Sequence, residues 1–413
     1  MLADPGNALF HLTDPRGASD KSGRTFNNPY QYFFEQMHMD DAIYADESIY
    51  EYPMQQGGGN DGRPYSFGRP SSGGSKAAYP CKSYGQGRIN PAYFYGVFDP
   101  NDMRRDVSIT MTGSNGKGVE KLIPFVPNSK AEGGGLTLNK WDENRQANPW
   151  VAAQRKSGIN GPYMRMSEVY LGYAEVCAAL GDVVTGKQYL KTVRERSFPQ
   201  GLANTDAFIA SFGNDLVRAI IEERGFEYAG EGDRRWTLIR SGYLPEDIKR
   251  IKDMTKAMMD GLATKGYYEF ENGNIISAYI WTKLVDAKTI YGHRLTAQCP
   301  TDKVNDPVLY PGWRGQKDNW EEMGLNYGSS TPATNLAIKG LFEIVSEEEA
   351  ASLESQGYAK VNWGIDLVDY RDEYDKYLFW DYDYVSAPIY LWPFTPNVMA
   401  AGGFTNGYGF KQE

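Results

Sequence analysis

The most regular alternation of apolar and polar positions lies between residues 163 and 198. Tyr163, Met166, Tyr170, Tyr173, Cys177 and Leu180 recur at steps of three and four, the spacing that gathers side chains on one helix face, and Gly181-Asp182 supplies a stop. A second amphipathic stretch follows at once from Val184 to Arg196, with Tyr189, Leu190 and Val193 inward, and Pro199 forbids its continuation. The pair has the dimensions of one tetratricopeptide-like repeat, or of an αα-hairpin in a bundle. From Thr205 to Gly242 the pattern predicts one or two more helices, Asp206 to Phe212 and then Asn214 as N-cap before Leu216, Ile220 and Ile221, down to Tyr228.

Outside this block the periodicity weakens. Tyr30, Phe33, Phe34 and Met37 follow the Asn28-Pro29 turn at helical spacing and predict a short helix. Residues 57–90 form a glycine-rich loop, and Tyr65, Phe67, Tyr79 and Tyr84 along it predict that parts of it dock. A second such loop runs from Thr112 to Gly135. Its Gly113-Ser114-Asn115-Gly116-Lys117 lacks the four residues between glycines that a phosphate-cradling P-loop needs. No run of about 18 apolar residues is long enough to span a membrane as a helix, and the start of the chain lacks the charged and apolar regions of a signal peptide.

Composition narrows the chemistry. The 413 residues carry 43 Lys+Arg against 53 Asp+Glu, a net charge of −10, so no basic field is available for nucleic acid. Three cysteines far apart and three histidines without a zinc-type spacing leave little for metal or nucleophile-base chemistry. The chain is instead rich in aromatics, with 30 Tyr, 18 Phe and 9 Trp. Tyrosine makes surfaces that are flat, apolar and still able to hydrogen-bond. Forty-five Gly and 22 Pro, with a mean hydropathy of −0.56, predict long ordered loops.

Charge patterning adds one more expectation. Glu222, Glu223, Arg224, Glu227, Glu231, Asp233, Arg234, Arg235 and Arg240 fall close together among Phe226, Tyr228, Trp236 and Leu238. The spacing reads either as a carboxylate pair for acid-base work or as a structural lattice of acids and arginines. The lattice is the stronger reading, because neighbouring guanidiniums depress carboxylate pKa values and spoil a general acid.

Two blocks then resemble the SusD/RagB family of surface glycan-binding lipoproteins. Residues 163–182, YMRMSEVYLGYAEVCAALGD, resemble that family's pattern of a hydrophobic residue, Arg, a small residue and Glu leading into Leu and Ala-Glu-Ala. They are followed by Tyr189 to Arg196, where Thr192 stands at a family Asn. Residues 221–240, IEERGFEYAGEGDRRWTLIR, resemble its Glu-Arg and Glu-Gly-x-Arg-Trp block, with Thr237 in place of the usual Asp. Weaker likenesses lie at Asp46 to Glu51, Asn101 to Ile109, Tyr390 to Asn397 and Thr405 to Tyr408.

The resemblance implies a mainly α fold: a tetratricopeptide-like helical scaffold with long loops and a few short strands. It divides the single domain of residues 1–413 into a loop-rich segment (1–162), the repeat-like helices (163–240) and a C-terminal region with an aromatic-rich tail (241–413). It implies a C-terminal portion of a longer protein, with the lipid anchor of the precursor outside this chain. It implies no catalysis and no cofactor, an oligosaccharide or polysaccharide ligand, a SusC-like TonB-dependent transporter as partner, and a place on the outer-membrane surface. The alternatives are a RagB-like peptide receptor with the same partner and a glycoside hydrolase using two carboxylates.

By the same resemblance the ligand face falls in residues 84–150. Trp141 and Trp150 lead, with Tyr84, Tyr93 and Tyr95 as further aromatics and Asn90, Asn144, Arg145 and Asn148 as polar neighbours. Pyranose rings expose flat C–H faces that pack on aromatics, while their hydroxyls need amides and charged groups nearby. A denser cluster from Trp363 to Trp392, and Trp313 with Trp320, are secondary candidates. Asp381-Tyr382-Asp383-Tyr384 lacks the Gly and distant Glu of a calcium loop, so a structural Ca²⁺ is not predicted.

Overall fold

The computed structural model describes residues 47–55, 57, 67–70, 83–114, 120–127, 134–141, 157–198, 201–286, 334–378 and 395–403. Among these residues helix predominates and the strands are short, gathered in separate two- and three-stranded sheets. The mainly α reading therefore holds. No helix among them is long and apolar enough to cross a membrane.

The strongest sequence pattern becomes an antiparallel pair, α2 (Met166–Ala179) and α3 (Val183–Glu195), preceded by the short α1 (Met103–Ser108). Between α2 and α3 Gly181 takes φ +89°, a left-handed conformation that glycine adopts without Cβ strain. Its N–H donates to Ala178 O (3.1 Å) and that of Asp182 to Cys177 O (2.9 Å). Asp182 then caps α3, accepting from Thr185 N at 3.1 Å, and hydrogen bonding by the Thr185 side chain and then by its N–H holds the Asp182 carboxyl below the usual range. The helices meet at Gly186, where a Cβ would lie 3.0 Å from the Ala174 carbonyl.

The inward face of α2 differs from the one the periodicity picked out. Tyr163 precedes the helix on a strand, and Met166, Ser167, Leu171, Ala174 and Cys177 are buried while Leu180 is exposed. Tyr170 and Tyr173 lie at the margin, each edge-on to Tyr189. A tyrosine keeps its hydroxyl wet while its ring packs, so it marks a boundary of the buried stripe rather than its centre. Burial of Met166, Leu171, Leu190 and Val193 contributes about 1.5–3 kcal/mol for each large side chain.

Next come α4 (Thr205–Ala210), α5 (Leu216–Glu227), α6 (Arg234–Ser241) and the long α7 (Leu244–Lys265). The cap of α5 is Asp215, which accepts from Arg218 N at 3.0 Å. Asn214, predicted to be the cap, instead takes φ 64° in the turn before it, a conformation asparagine tolerates. Leu216, Ala219 and Ile220 of α5 pack on the α2–α3 pair, and Ile221 packs with Leu238 and Leu244 on the other side.

The largest core lies beyond α5. Phe94, Tyr95 and Phe98, in and just after a π-helical turn (Tyr93–Val97), meet Phe226, Met258, Met259, Leu262, Ile276, Ile280, Ile338 and Trp363. It is covered by an antiparallel sheet in the order β10 (Thr334–Lys339), β9 (Tyr279–Asp286), β11 (Ala359–Asn362). Small pairs β2–β5 (Ile109–Thr110 with Thr137–Leu138), β3–β4 (Thr112–Ser114 with Glu120–Leu122) and β7–β8 (Tyr267–Glu269 with Ile275–Ser277) flank it. The glycine-rich stretch from Thr112 thus begins as a hairpin. Part of the first loop docks as expected: Arg69 is buried, with its N–H on Trp141 O (2.9 Å) and a guanidinium N–H on Thr112 Oγ1 (3.1 Å).

Candidate functional site

The acid-arginine pattern resolves into a buried lattice that joins distant segments. Among the described residues five cations, Arg104, Lys140, Arg165, Arg194 and Arg196, meet five carboxylates, Glu47, Asp102, Glu223, Glu227 and Glu231. Arg104 reaches Glu223 at 2.6 Å, Arg165 reaches Glu47 at 2.6 Å and Glu227 at 2.9 Å, and Lys140 reaches Glu231 at 2.6 Å. A second knot pairs Glu222 and Asp247 with Arg234 and Arg250. Burial pushes the Glu231 carboxyl up, but Arg165 and Lys140 outweigh it and hold the group below its usual value. Asp247 is held low in the same way by Arg234 and Arg250. Carboxylates fixed in the ionised form between guanidiniums are structural ties, not proton donors.

Of the predicted ligand residues, the structure describes Trp141, Tyr84, Tyr93, Tyr95 and Asn90. Trp141 is 1% exposed, packed with Leu138, Ile159 and Ile89, so its face is closed to a ligand in this structure. Tyr95 is wholly buried, accepts from Trp363 Nε1 at 2.8 Å and stacks on Phe270, and burial pushes its phenol pKa well up. Both are corrected to core positions. The π-helical turn and the strand end that carry them face the largest core and its neighbour, where an aromatic ring buries the most surface. Tyr93 is half-buried and donates its hydroxyl to Gly225 O at 3.0 Å, and Tyr84 is half-buried as well. Asn90 is spent on the π-turn, accepting from Ala92 N and bonding Thr255. Asn144, Arg145, Asn148 and Trp150 lie outside the described residues, as do Trp313, Trp320 and the tail from Trp380 to Trp392. Trp363 is core.

The structure turns other aromatics outward. β1 (Ser48–Tyr52) pairs antiparallel with β6 (Gly161–Arg165) as a two-stranded ribbon. Tyr50, Tyr52 and Tyr163 on it are 59%, 53% and 73% exposed, and Tyr50 and Tyr163 meet edge to face with centroids 5.6 Å apart. The opposite face of β1 points inward: Ile49 packs on the α2–α3 core, and Glu51 accepts from Asn160 Nδ2 at 2.9 Å. The one sequence signal for this face is the Tyr50-Glu51-Tyr52 alternation, which marks a strand with one solvated side.

The sequence profile of the SusD family matches residues 12–393. This chain belongs to the SusD family. A SusD-like protein of Formosa agariphila is 28% identical over 160 residues, which are 38% of this chain and 26% of that protein. Among solved structures, a SusD homologue from Bacteroides thetaiotaomicron aligns at TM-score 0.41 and 20% identity over 55% of this chain and 47% of its own. Surface glycan-binding protein A from the same organism, in complex with laminarihexaose, aligns at TM-score 0.38 and 18% identity over 59% and 49%. The chain spans about half the length of these solved relatives and matches about a quarter of the curated SusD-like protein.

Proposed function

We propose that this chain binds oligosaccharides or polysaccharides at the cell surface without turning them over, for delivery to a SusC-like TonB-dependent transporter in the outer membrane. Membership of the SusD family across residues 12–393 carries the reading. Two features of the structure support it. The carboxylates of the helical blocks are committed to ion pairs, which suits a scaffold, and a tyrosine face stands in solvent, which suits a ligand held by stacking. Attachment to the membrane through a lipid belongs to the same proposal.

The test is calorimetric titration of the chain with a broad set of oligosaccharides and, in parallel, a peptide pool, with the saccharide products analysed after long incubation. Saturable saccharide binding with no new reducing ends is the expected result. Turnover abolished by a single Asp or Glu substitution would make the protein a hydrolase, and peptide binding without saccharide binding would make it a peptide receptor.

A further inference from the structure

We infer that the outer face of the β1–β6 ribbon, made by Tyr50, Tyr52 and Tyr163, is a contact surface for a neutral oligosaccharide. The inference rests on the glycan-binding reading above and names the residues and ligand charge that reading leaves open.

The ribbon is irregular in a way that aims a side chain. The pairings Ser48 with Arg165, Tyr50 with Met164 and Glu51 with Pro162 leave Ile49 unmatched on β1 and Tyr163 unmatched on β6. Strict alternation would turn Tyr163 to the same side as Arg165, which is buried in the ion lattice. The bulge lets Arg165 stay inside while Tyr163 stands 73% exposed against Tyr50. Bulges recur where a fold re-aims a side chain.

What stands on that face selects the ligand. The exposed large side chains of the ribbon are all tyrosines, each an apolar plane with a hydroxyl at its end. Two rings 85° apart form a corner: a pyranose laid on one ring brings its hydroxyls to the edge and phenol of the other. No hydrogen bond among the described residues occupies the hydroxyls of Tyr50, Tyr52 or Tyr163. The charged groups of the ribbon, Glu51 and Arg165, are committed on its inner side to Asn160 and to the lattice. A face without a cation among the described residues, on a chain of net charge −10, disfavours uronic-acid or sulfated chains. The platform is also held in place, by Ile49 on the α2–α3 core and by Glu47 on Arg165 and Arg196.

The experiment titrates the whole chain with maltohexaose, cellohexaose, laminarihexaose, mannohexaose and hexagalacturonate, and repeats this with Tyr50→Ala, Tyr163→Ala and, as an exposed control on α2, Tyr173→Ala. Tyrosine nitration of the free and saccharide-bound parent, read by mass spectrometry, reports on the same side chains without a substitution. A neutral hexasaccharide should bind and shield Tyr50 and Tyr163 from nitration. Each of the two ribbon variants should weaken it about tenfold or more while Tyr173→Ala leaves it unchanged. Saccharide binding that both ribbon variants retain overturns the inference and leaves the glycan-binding reading standing. So does a free chain whose Tyr163 resists nitration because another segment covers it, and preference for hexagalacturonate overturns the neutral assignment. Failure of the parent to bind any saccharide sinks the reading beneath.

Discussion

The β1–β6 ribbon and the tip of the α2–α3 hairpin both turn large apolar side chains to solvent, one with tyrosines and the other with aliphatic chains. At the tip Val176, Leu180, Val183 and Val184 are 54%, 82%, 54% and 81% exposed. An aliphatic surface gains only by shedding water, whereas a tyrosine surface gains by stacking and keeps hydrogen-bonding capacity for a hydrated partner. They also differ in how they are held. The ribbon is tied by Glu47 to Arg165 and Arg196 beneath it, while the tip rests on a glycine turn and a helix cap. The ribbon is a fixed platform and the tip a local turn.

That contrast can be broken most forcefully at the lattice. Glu47→Ala leaves Arg165 and Arg196 short of a buried partner and should cost about 3–5 kcal/mol in urea unfolding, with loss of saccharide binding. A loss below about 1 kcal/mol would show that the ribbon is anchored by packing alone. Gly186→Val tests the hairpin instead. Its new Cβ meets the Ala174 carbonyl and should push α2 and α3 apart, costing about 1–3 kcal/mol while leaving the saccharide affinity of the ribbon intact.

Acid should weaken the lattice. The Glu231 carboxyl titrates below its ordinary value of 4.5, so its stabilising contribution is complete above that pH and fades as pH falls through the lower folded value. Asp247 behaves alike below its ordinary 3.8. Stability measured from pH 7 downward should therefore be flat and then drop in that acid window, and Glu231→Gln should make the drop shallower. A parent whose stability rises on acidification through the window would contradict the assignment. The smallest effect belongs to the tip: Leu180→Ser and Val184→Ser should each change stability by no more than about 0.5 kcal/mol and leave saccharide binding alone.

The helical hairpin and its stop were legible to within about three residues at the start of α2 and one elsewhere, because helix period, Gly181 and Asp182 act through the local backbone. The acid-arginine spacing of residues 222–240 likewise announced a lattice, though not that Glu47, Arg104, Lys140 and Arg165 would complete it. The proposed ligand face was much less legible. Trp141 and Tyr95 went to the core because large rings stabilise most where they lose all contact with water. Tyr163 read as the first residue of the helix face, since a bulge leaves no mark in a hydrophobic pattern.

What the sequence determined by itself is therefore what depends on neighbours along the chain: helices and their ends, the surplus of aromatics, the acidic charge and the family motifs. Tertiary structure alone decided which tyrosines meet water and which carboxylate answers which guanidinium. Those outcomes rest on contacts such as Arg165 with Glu47, 118 residues apart, and on the register of two strands. Burial and ion pairing are properties of the packed chain, and a one-residue slip in a strand reverses the face on which a side chain stands.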